Sequence, residues 1–185
     1  MILRITQKLS AKIKVGRLSE SPLDENPFAD WSCNLFTAGR TQYIILSNTV
    51  SLYSCVMFGK GITNGGRFVE QAQSTIREFM EADGQAFAYQ NFISPASDTI
   101  TFAKSLNRSV TGSMNDLVKF AKHRLSEDDI APHDVSSKLN DILLSALATT
   151  PDQGYARNYG RPNEAFKAIC TSHLANNEDE NAAST

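Results

Sequence analysis

The stretch that decides the fold reads Trp31-Ser-Cys-Asn-Leu-Phe-Thr, Ala38-Gly-Arg, Thr41-Gln-Tyr-Ile-Ile-Leu-Ser, Asn48-Thr-Val-Ser and Leu52-Tyr-Ser-Cys-Val-Met-Phe58. Its three runs rich in Tyr, Ile, Val, Phe and Leu are typical of half-buried strands. The two short breaks between them hold the Gly and Asn residues that favour chain reversals. The pattern predicts three antiparallel strands that form the folding core, with Trp31 as a buried anchor.

The segments on either side of this core predict further strands and several helices. Residues 1–6 and 98–104 read as strands, so we predict an α+β fold. It is an antiparallel β-meander of about four to five strands covered by several α-helices on one face. Apolar residues recurring at steps of three and four predict helices at 6–14, 67–82, 114–125, 135–147 and 163–174. Thr6 and Ser113 are the expected N-caps of the first and third of these helices, and Gly16 is expected to end the first.

Length and composition favour one folded domain. The chain has 185 residues, of which 41% are hydrophobic, and its formal net charge is −2. We predict a single α+β domain over 1–174, with an insertion-like loop at 149–161 and a disordered acidic tail at 175–185. The overall charge does not favour nucleic-acid binding, although residues 1–17 are locally basic.

The cysteine pattern and hydropathy bear on cofactors and location. Cys33, Cys55 and Cys170 form no Cys-x-x-Cys pair, so we predict free thiols, no metal site and no cofactor, with Cys33 and Cys55 on adjacent strands. No run of the sequence approaches the roughly 20 apolar residues of a membrane span. We therefore expect a cytoplasmic protein with no membrane partner.

Four segments carry a resemblance to a known family. They are Arg4-Ile-Thr-Gln-Lys-Leu, Asp30-Trp-Ser-Cys-Asn-Leu-Phe-Thr-Ala-Gly-Arg-Thr-Gln-Tyr, Leu46-Ser-Asn-Thr-Val-Ser-Leu-Tyr-Ser54 and Phe102-Ala-Lys-Ser-Leu-Asn-Arg-Ser-Val-Thr-Gly-Ser-Met-Asn-Asp116. The chain resembles a bacterial family catalogued only as a domain of unknown function, from Met1 to about Leu147 and again over 162–166. The resemblance implies a cytoplasmic single-domain protein and supplies no activity and no catalytic residue.

The best candidate site is the segment 107–113, predicted as a loop that leads into a helix. A helix N-terminus favours anions, Arg108 suits phosphate or carboxylate, and the neighbouring hydroxyl and amide groups are donors. Capping and turn formation explain the same composition. Three basic residues outside this segment, Lys8, Lys12 and Arg40, are further candidates. The predicted anion- or partner-binding residues are therefore Lys8, Lys12, Arg40, Asn107, Arg108, Ser109, Thr111 and Ser113.

Three functions remain open at this stage. The first is a non-catalytic binding or regulatory module for nucleic acid or another phosphate-bearing partner. The second is an enzyme acting on a phosphorylated small molecule, although the sequence has no recognisable catalytic motif. The third is a protein-interaction or homodimerisation module that uses a sheet edge or the aromatic segment 87–92.

Overall fold

The computed structural model describes residues 1–127, 130–147 and 160–183. This part of the chain contains five strands: β1 (Ile2–Ile5), β2 (Asp30–Ala38), β3 (Thr41–Asn48), β4 (Ser54–Phe58) and β5 (Thr101–Ala103). It also contains six α-helices: α1 (Gln7–Ile13), α2 (Gly65–Ala82), α3 (Ala86–Ala88), α4 (Arg108–Glu127), α5 (Pro132–Leu139) and α6 (Pro162–Ala183). The α+β class predicted from the sequence is confirmed.

The strands form one mixed sheet in the order β4-β3-β2-β1-β5. β2, β3 and β4 pair antiparallel, but β1 lies parallel to both β2 and β5. The prediction that all strands form an antiparallel meander is therefore wrong, and β5 joins β1 at the far edge of the sheet. Alternation along a strand indicates which side chains are buried but does not specify the neighbouring strand or its direction.

Helices cover both faces of the sheet, which corrects the prediction of one covered face. On one face, Leu35 and Ile44 belong to a core completed by α1, α2 and α6. On the other face, Phe36 and Ile45 belong to a second core completed by α4 and α5. Because side chains alternate along β2 and β3, these central strands contribute apolar side chains to the cores on both faces of the sheet.

Trp31 is fully buried, and its indole N–H donates to the Phe28 carbonyl over 2.8 Å, so its predicted role as a core anchor is confirmed. Cys33 and Cys55 are buried free thiols. They are not on adjacent strands, because Leu46 on β3 lies between them in the register. The expectation of adjacent strands was wrong, because β3 lies between β2 and β4 in the sheet.

Several helix boundaries in the structure differ from the predicted ones. Thr6 caps α1 as expected, but Lys14, with a φ of 56°, rather than Gly16 supplies the left-handed residue at its end. α4 begins six residues before the predicted start at 114, because Asn107 rather than Ser113 accepts the capping bond, from the N–H of Val110.

In the C-terminal part of the chain, the ends of α5 and α6 differ from the predicted ends. α5 ends at Leu139, before the predicted end at 147, and a separate short 3₁₀ turn covers Ser145–Leu147. Most of the predicted insertion-like loop at 149–161 lies outside the described residues. α6 continues beyond the predicted end at 174, while the domain limit at 174 and the disordered tail at 175–185 stay predictions.

Candidate functional site

The candidate site is a crevice outside the carboxyl ends of the parallel strands β1 and β5. The helices that follow these neighbouring strands pack on opposite faces, since Leu9 and Ile13 of α1 belong to one core and Met114 and Leu117 of α4 belong to the other. When two adjacent parallel strands continue to opposite faces, a gap opens between their carboxyl ends. In open α/β sheets this is where ligands bind.

A cavity of about 530 Å³ occupies this gap. Its polar lining consists of Thr6, Gln7, Ser10, Arg17, Lys104 and Ser105. These residues come from the end of β1, from α1, from the turn after α1 and from the segment after β5. The cavity therefore depends on four segments that the sheet brings together.

The α1 wall of the crevice is held by local hydrogen bonds. The Thr6 hydroxyl accepts from the N–H of Leu9 and lies 3.5 Å from the Asn34 side-chain oxygen on β2. The Ser10 hydroxyl donates to the Val15 carbonyl over 2.8 Å, which fixes the turn that precedes Arg17. Arg17 is exposed and has no hydrogen bond or ion pair with any described residue, so its guanidinium is available to a ligand.

A second cavity, of about 590 Å³, adjoins the first and shares Lys104 and Ser105 with it. The Lys104 ammonium lies 3.1 Å from the Glu20 carboxylate in an exposed ion pair, which is worth little in water and can exchange for another anion. The backbone under Lys104 is fixed, because its N–H donates to the Ser19 carbonyl over 2.9 Å. The Lys104 ammonium is thus exposed and weakly paired, while a backbone hydrogen bond holds the residue that carries it.

The predicted site residues on α1 and the β2–β3 turn do not line these two cavities. Lys8 is exposed on α1, and Arg40 is exposed at the turn between β2 and β3. The Lys12 ammonium donates to the Gln42 side-chain oxygen over 2.7 Å. The structure brings Lys12 close to the β2–β3 turn, where it links α1 to β3.

The predicted site residues from Arg108 to Ser113 lie in the first two turns of α4 and not in a loop, and Asn107 directly precedes them. Asn107 caps the helix, and the Thr111 hydroxyl donates to the Asn107 carbonyl over 2.9 Å. Arg108 and Ser109 are exposed in the first turn, whereas Ser113 is buried. The helix N-terminus expected at Ser113 therefore lies at Asn107, two residues from Ser105 in the crevice.

Sequence reasoning missed Arg17 and Lys104 as site residues. Arg17 was part of the basic segment 1–17, and Lys104 closed a predicted strand. Both residues can be recognised as site residues only once the parallel pairing of β1 with β5 is known, and the sequence does not reveal that pairing.

The thiols of Cys33 and Cys55 lie outside the crevice. Burial first, followed by the proximity of Cys55 and Asp30, raises the pKa of the Cys33 thiol well above its usual value. Burial also raises the pKa of the Cys55 thiol. Both thiols therefore stay protonated in the core and do not act as nucleophiles at neutral pH. Among the described residues, no group of three or more His, Cys, Asp or Glu side chains is placed to hold a metal ion.

Comparison with known families matches residues 2–165 to a family described as "Domain of unknown function (DUF6933)". The chain belongs to this family. The match covers all five strands, the helices α1 to α5 and both cavities, and it ends inside α6. The family unit is therefore the sheet with a helical layer on each face.

No curated protein and no solved structure matches this family member. Among the described residues, no helix has the length and apolar character needed to cross a membrane.

Proposed function

We propose that this family member is a non-catalytic binding module that holds a phosphate-bearing ligand in the crevice at the carboxyl ends of β1 and β5. The observation that carries the proposal is the placing of two cations, Arg17 and Lys104, beside donor groups in one cavity. The cavity volume of about 530 Å³ falls in the range of small-ligand sites.

The chemistry of the lining favours phosphate. An arginine guanidinium forms paired, charge-assisted hydrogen bonds with phosphate oxygens, and a lysine ammonium adds a point charge. Thr6, Gln7 and Ser105 add hydroxyl and amide donors around the same space. The N-terminus of α4, capped by Asn107 and followed by Arg108, adds positive potential close to Ser105 in the chain.

The same lining supports binding without catalysis. None of the described residues that line the first cavity is Asp, Glu, His or Cys. A general acid or base within reach of the reacting group is what acid–base chemistry on a ligand needs. A cavity lined by cations and neutral donors suits the retention of an anion, and the lining of the first cavity offers no carboxylate, imidazole or thiol for proton transfer.

Phosphate can come from a free small molecule or from a nucleic-acid chain. The net charge of −2 and the cavity size support a small phosphate-bearing molecule or one phosphate of a strand end. A nucleic-acid strand has further phosphates that Lys8 and Arg108 would contact, whereas a small molecule has none in reach of them. The two sources differ in how many ions they displace on binding.

The experiment measures binding of inorganic phosphate, a nucleoside monophosphate and a single-stranded oligonucleotide to the full chain by calorimetry and by thermal shift. We expect Arg17→Gln and Lys104→Gln each to weaken the tightest of these ligands about tenfold or more, because each removes a charge-assisted bond. Lys119→Gln is the matched control, since the Lys119 ammonium also lies in an exposed ion pair, 3.0 Å from Asp116.

The salt dependence of binding distinguishes a small phosphate-bearing molecule from a nucleic-acid strand. Raising the salt from about 50 mM to about 200 mM should weaken a small ligand modestly and an oligonucleotide steeply. The proposal is overturned if none of the three probes binds at low salt, or if Lys119→Gln weakens binding as much as Arg17→Gln. If chromatography shows that the protein converts the bound nucleotide, only the claim that the module is non-catalytic is overturned.

A further inference from the structure

The second cavity is lined by a buried cation, Arg4, whose hydrogen bonds are already complete. A guanidinium has five N–H groups, and Arg4 makes five hydrogen bonds. Two of them go to the Asp30 carboxylate, and three go to backbone carbonyls, those of Ser21, Pro22 and Lys104. The charge of Arg4 is balanced by Asp30 at 2.7 Å. Arg4 therefore does not make the second cavity a site for an anion.

The free acceptor of the second cavity is the Glu20 carboxylate. An ionised carboxylate only accepts hydrogen bonds and has about four sites for doing so. The bond from the Lys104 ammonium over 3.1 Å occupies one site, and the Glu20 side chain is 85% exposed, so other sites are open to a ligand. The hydroxyl groups of Ser21 and Ser105 line the same cavity. The second cavity thus favours a group that donates hydrogen bonds, such as a hydroxyl.

The first cavity has the opposite character. Arg17 and Lys104 supply two cations there, and none of the described residues around it is acidic. Lys104 lines both cavities, and its ammonium has three N–H groups. One bond to Glu20 leaves two N–H groups for a phosphate. The same lysine can therefore hold a phosphate in the first cavity while Glu20 remains at the second.

We propose that the ligand of the crevice is a phosphate monoester whose carbon chain carries hydroxyl groups, with the phosphate in the first cavity and the hydroxyls in the second. This ligand class presupposes the phosphate site at Arg17 and Lys104, so it rests on the proposed function. Glu20 accepts from the ligand hydroxyls in charge-assisted hydrogen bonds. Leu106 gives the second cavity an apolar surface for the C–H groups of the chain. Sugar phosphates and nucleotides both have this chemistry.

The charge of Glu20 discriminates among phosphate-bearing ligands. A second anionic group in the second cavity would be repelled by Glu20, because the charge of Arg4 is already balanced by Asp30. An apolar chain would cover the carboxylate without pairing it, which costs free energy. Hydroxyl groups avoid both costs, since they are neutral and donate to the carboxylate.

The test compares phosphate monoesters with and without hydroxyl groups. Ribitol 5-phosphate and n-pentyl phosphate have carbon chains of the same length, and only the first carries hydroxyls. A nucleoside monophosphate and its 2′,3′-dideoxy form are the second matched pair. These ligands and inorganic phosphate are titrated by calorimetry against the wild-type full chain, Glu20→Gln and the control Asp116→Asn. The Asp116 carboxylate also lies in an exposed ion pair, 3.0 Å from the Lys119 ammonium, and lines neither cavity.

We expect the wild type and Asp116→Asn to bind the hydroxyl-bearing member of at least one pair about tenfold or more tightly than its partner. Glu20→Gln should reduce that preference to about threefold or less, because a neutral amide replaces the charged acceptor. The same variant should bind inorganic phosphate about twofold more tightly, since Lys104 loses a competing anion. A merely structural role for Glu20 would instead weaken all the ligands alike, which would overturn the proposal.

The remaining outcomes separate the ligand class from the phosphate site. If all the phosphate ligands bind equally well through Arg17 and Lys104, the hydroxyl-bearing class is overturned and the phosphate site stands. A hydroxyl preference that Glu20→Gln leaves unchanged also overturns the class, because the hydroxyls would then lie elsewhere. If no ligand binds at low salt, the phosphate site is overturned as well. A preference in the ribitol pair alone supports sugar phosphates, and one in the nucleotide pair alone supports nucleotides.

Discussion

Arg4 on β1 and Asp30 at the start of β2 form a two-bond ion pair in the protein interior. Arg4 Nε donates to Asp30 Oδ1 and Arg4 Nη2 donates to Asp30 Oδ2, both over 2.7 Å. The guanidinium also donates to the Ser21 and Pro22 carbonyls, over 3.0 and 2.6 Å, and the residue is only 1% exposed. One side chain thus joins β1 and β2 to the loop that borders the second cavity.

Breaking this pair from one side should destabilise the fold strongly. Arg4→Met leaves the Asp30 carboxylate buried without its cation, at a cost of roughly 3–5 kcal/mol in the free energy of unfolding. Urea denaturation measures it. Adding Asp30→Leu to Arg4→Met should recover part of the loss, and Lys119→Met, which breaks an exposed pair, should cost about 1 kcal/mol or less. An Arg4→Met protein as stable as the Lys119→Met control would contradict the buried arrangement.

The N-cap of α4 should lie at Asn107 and not at Ser113. Asn107→Ala removes the oxygen that accepts from the N–H of Val110 over 2.9 Å, and we expect a loss of about 1 kcal/mol in the free energy of unfolding. Asn107→Asp should restore it, because aspartate caps as well. Ser113→Ala should change stability by about 0.5 kcal/mol or less, since this position is inside the helix. A reversed ranking in urea denaturation would place the helix start where the sequence alone placed it.

Tyr53 should make stability depend on alkaline pH. Burial, then the hydrogen bond of its hydroxyl to Asp83 Oδ2 over 2.6 Å, raises the pKa of Tyr53 well above its usual value. The folded state therefore favours the neutral phenol, and the contribution is fully present below the unfolded pKa of about 10 and declines as the pH rises above it.

The variant Tyr53→Phe isolates that contribution. At neutral pH it should lower the free energy of unfolding by about 1–3 kcal/mol, because the Asp83 carboxylate loses a donor. The gap between wild type and variant should shrink as the pH rises from about 9 to about 11. A gap that stays constant or widens over that range would show that the folded state does not favour the neutral phenol.

The three thiols should differ in reactivity. Cys33 and Cys55 are buried with raised pKa values, whereas Cys170 on α6 is half-buried with a pKa that burial also raises. A disulfide reagent at about pH 8 should label Cys170 slowly in the folded protein and label the other two only on unfolding. Cys170→Ser should abolish the folded-state reaction. Rapid labelling of that variant without denaturant would contradict the burial of the core thiols.

Much of the core could be predicted from the sequence because its signals are local. The strands β2 to β4 follow one another through short reversals, so each pairs with the next. The apolar stripe of α2, with Phe68, Ala72 and Ile76 buried, repeats at helical spacing. Neither inference requires knowledge of contacts between distant segments.

The candidate site could not be predicted in the same way. Arg4 belonged to an apparently basic N-terminal segment, yet its partner is 26 residues away and neutralises it inside the fold. Lys12 is engaged by Gln42, whereas Arg17 and Lys104 line one cavity because β5 lies beside β1 and Ala103 bridges to Ser19. Which cations remain available is therefore a property of pairings between segments far apart in the chain.

The sequence by itself determined the α+β class, the three central strands and the buried anchor at Trp31, because periodic burial and turn chemistry act within a few residues. The tertiary structure alone decided the parallel pairing of β1 and β5, the second covered face and the crevice lined by Arg17 and Lys104. Those features depend on free-energy differences between alternative long-range pairings, and the three-residue strand β5 carries too little pattern to specify its neighbour.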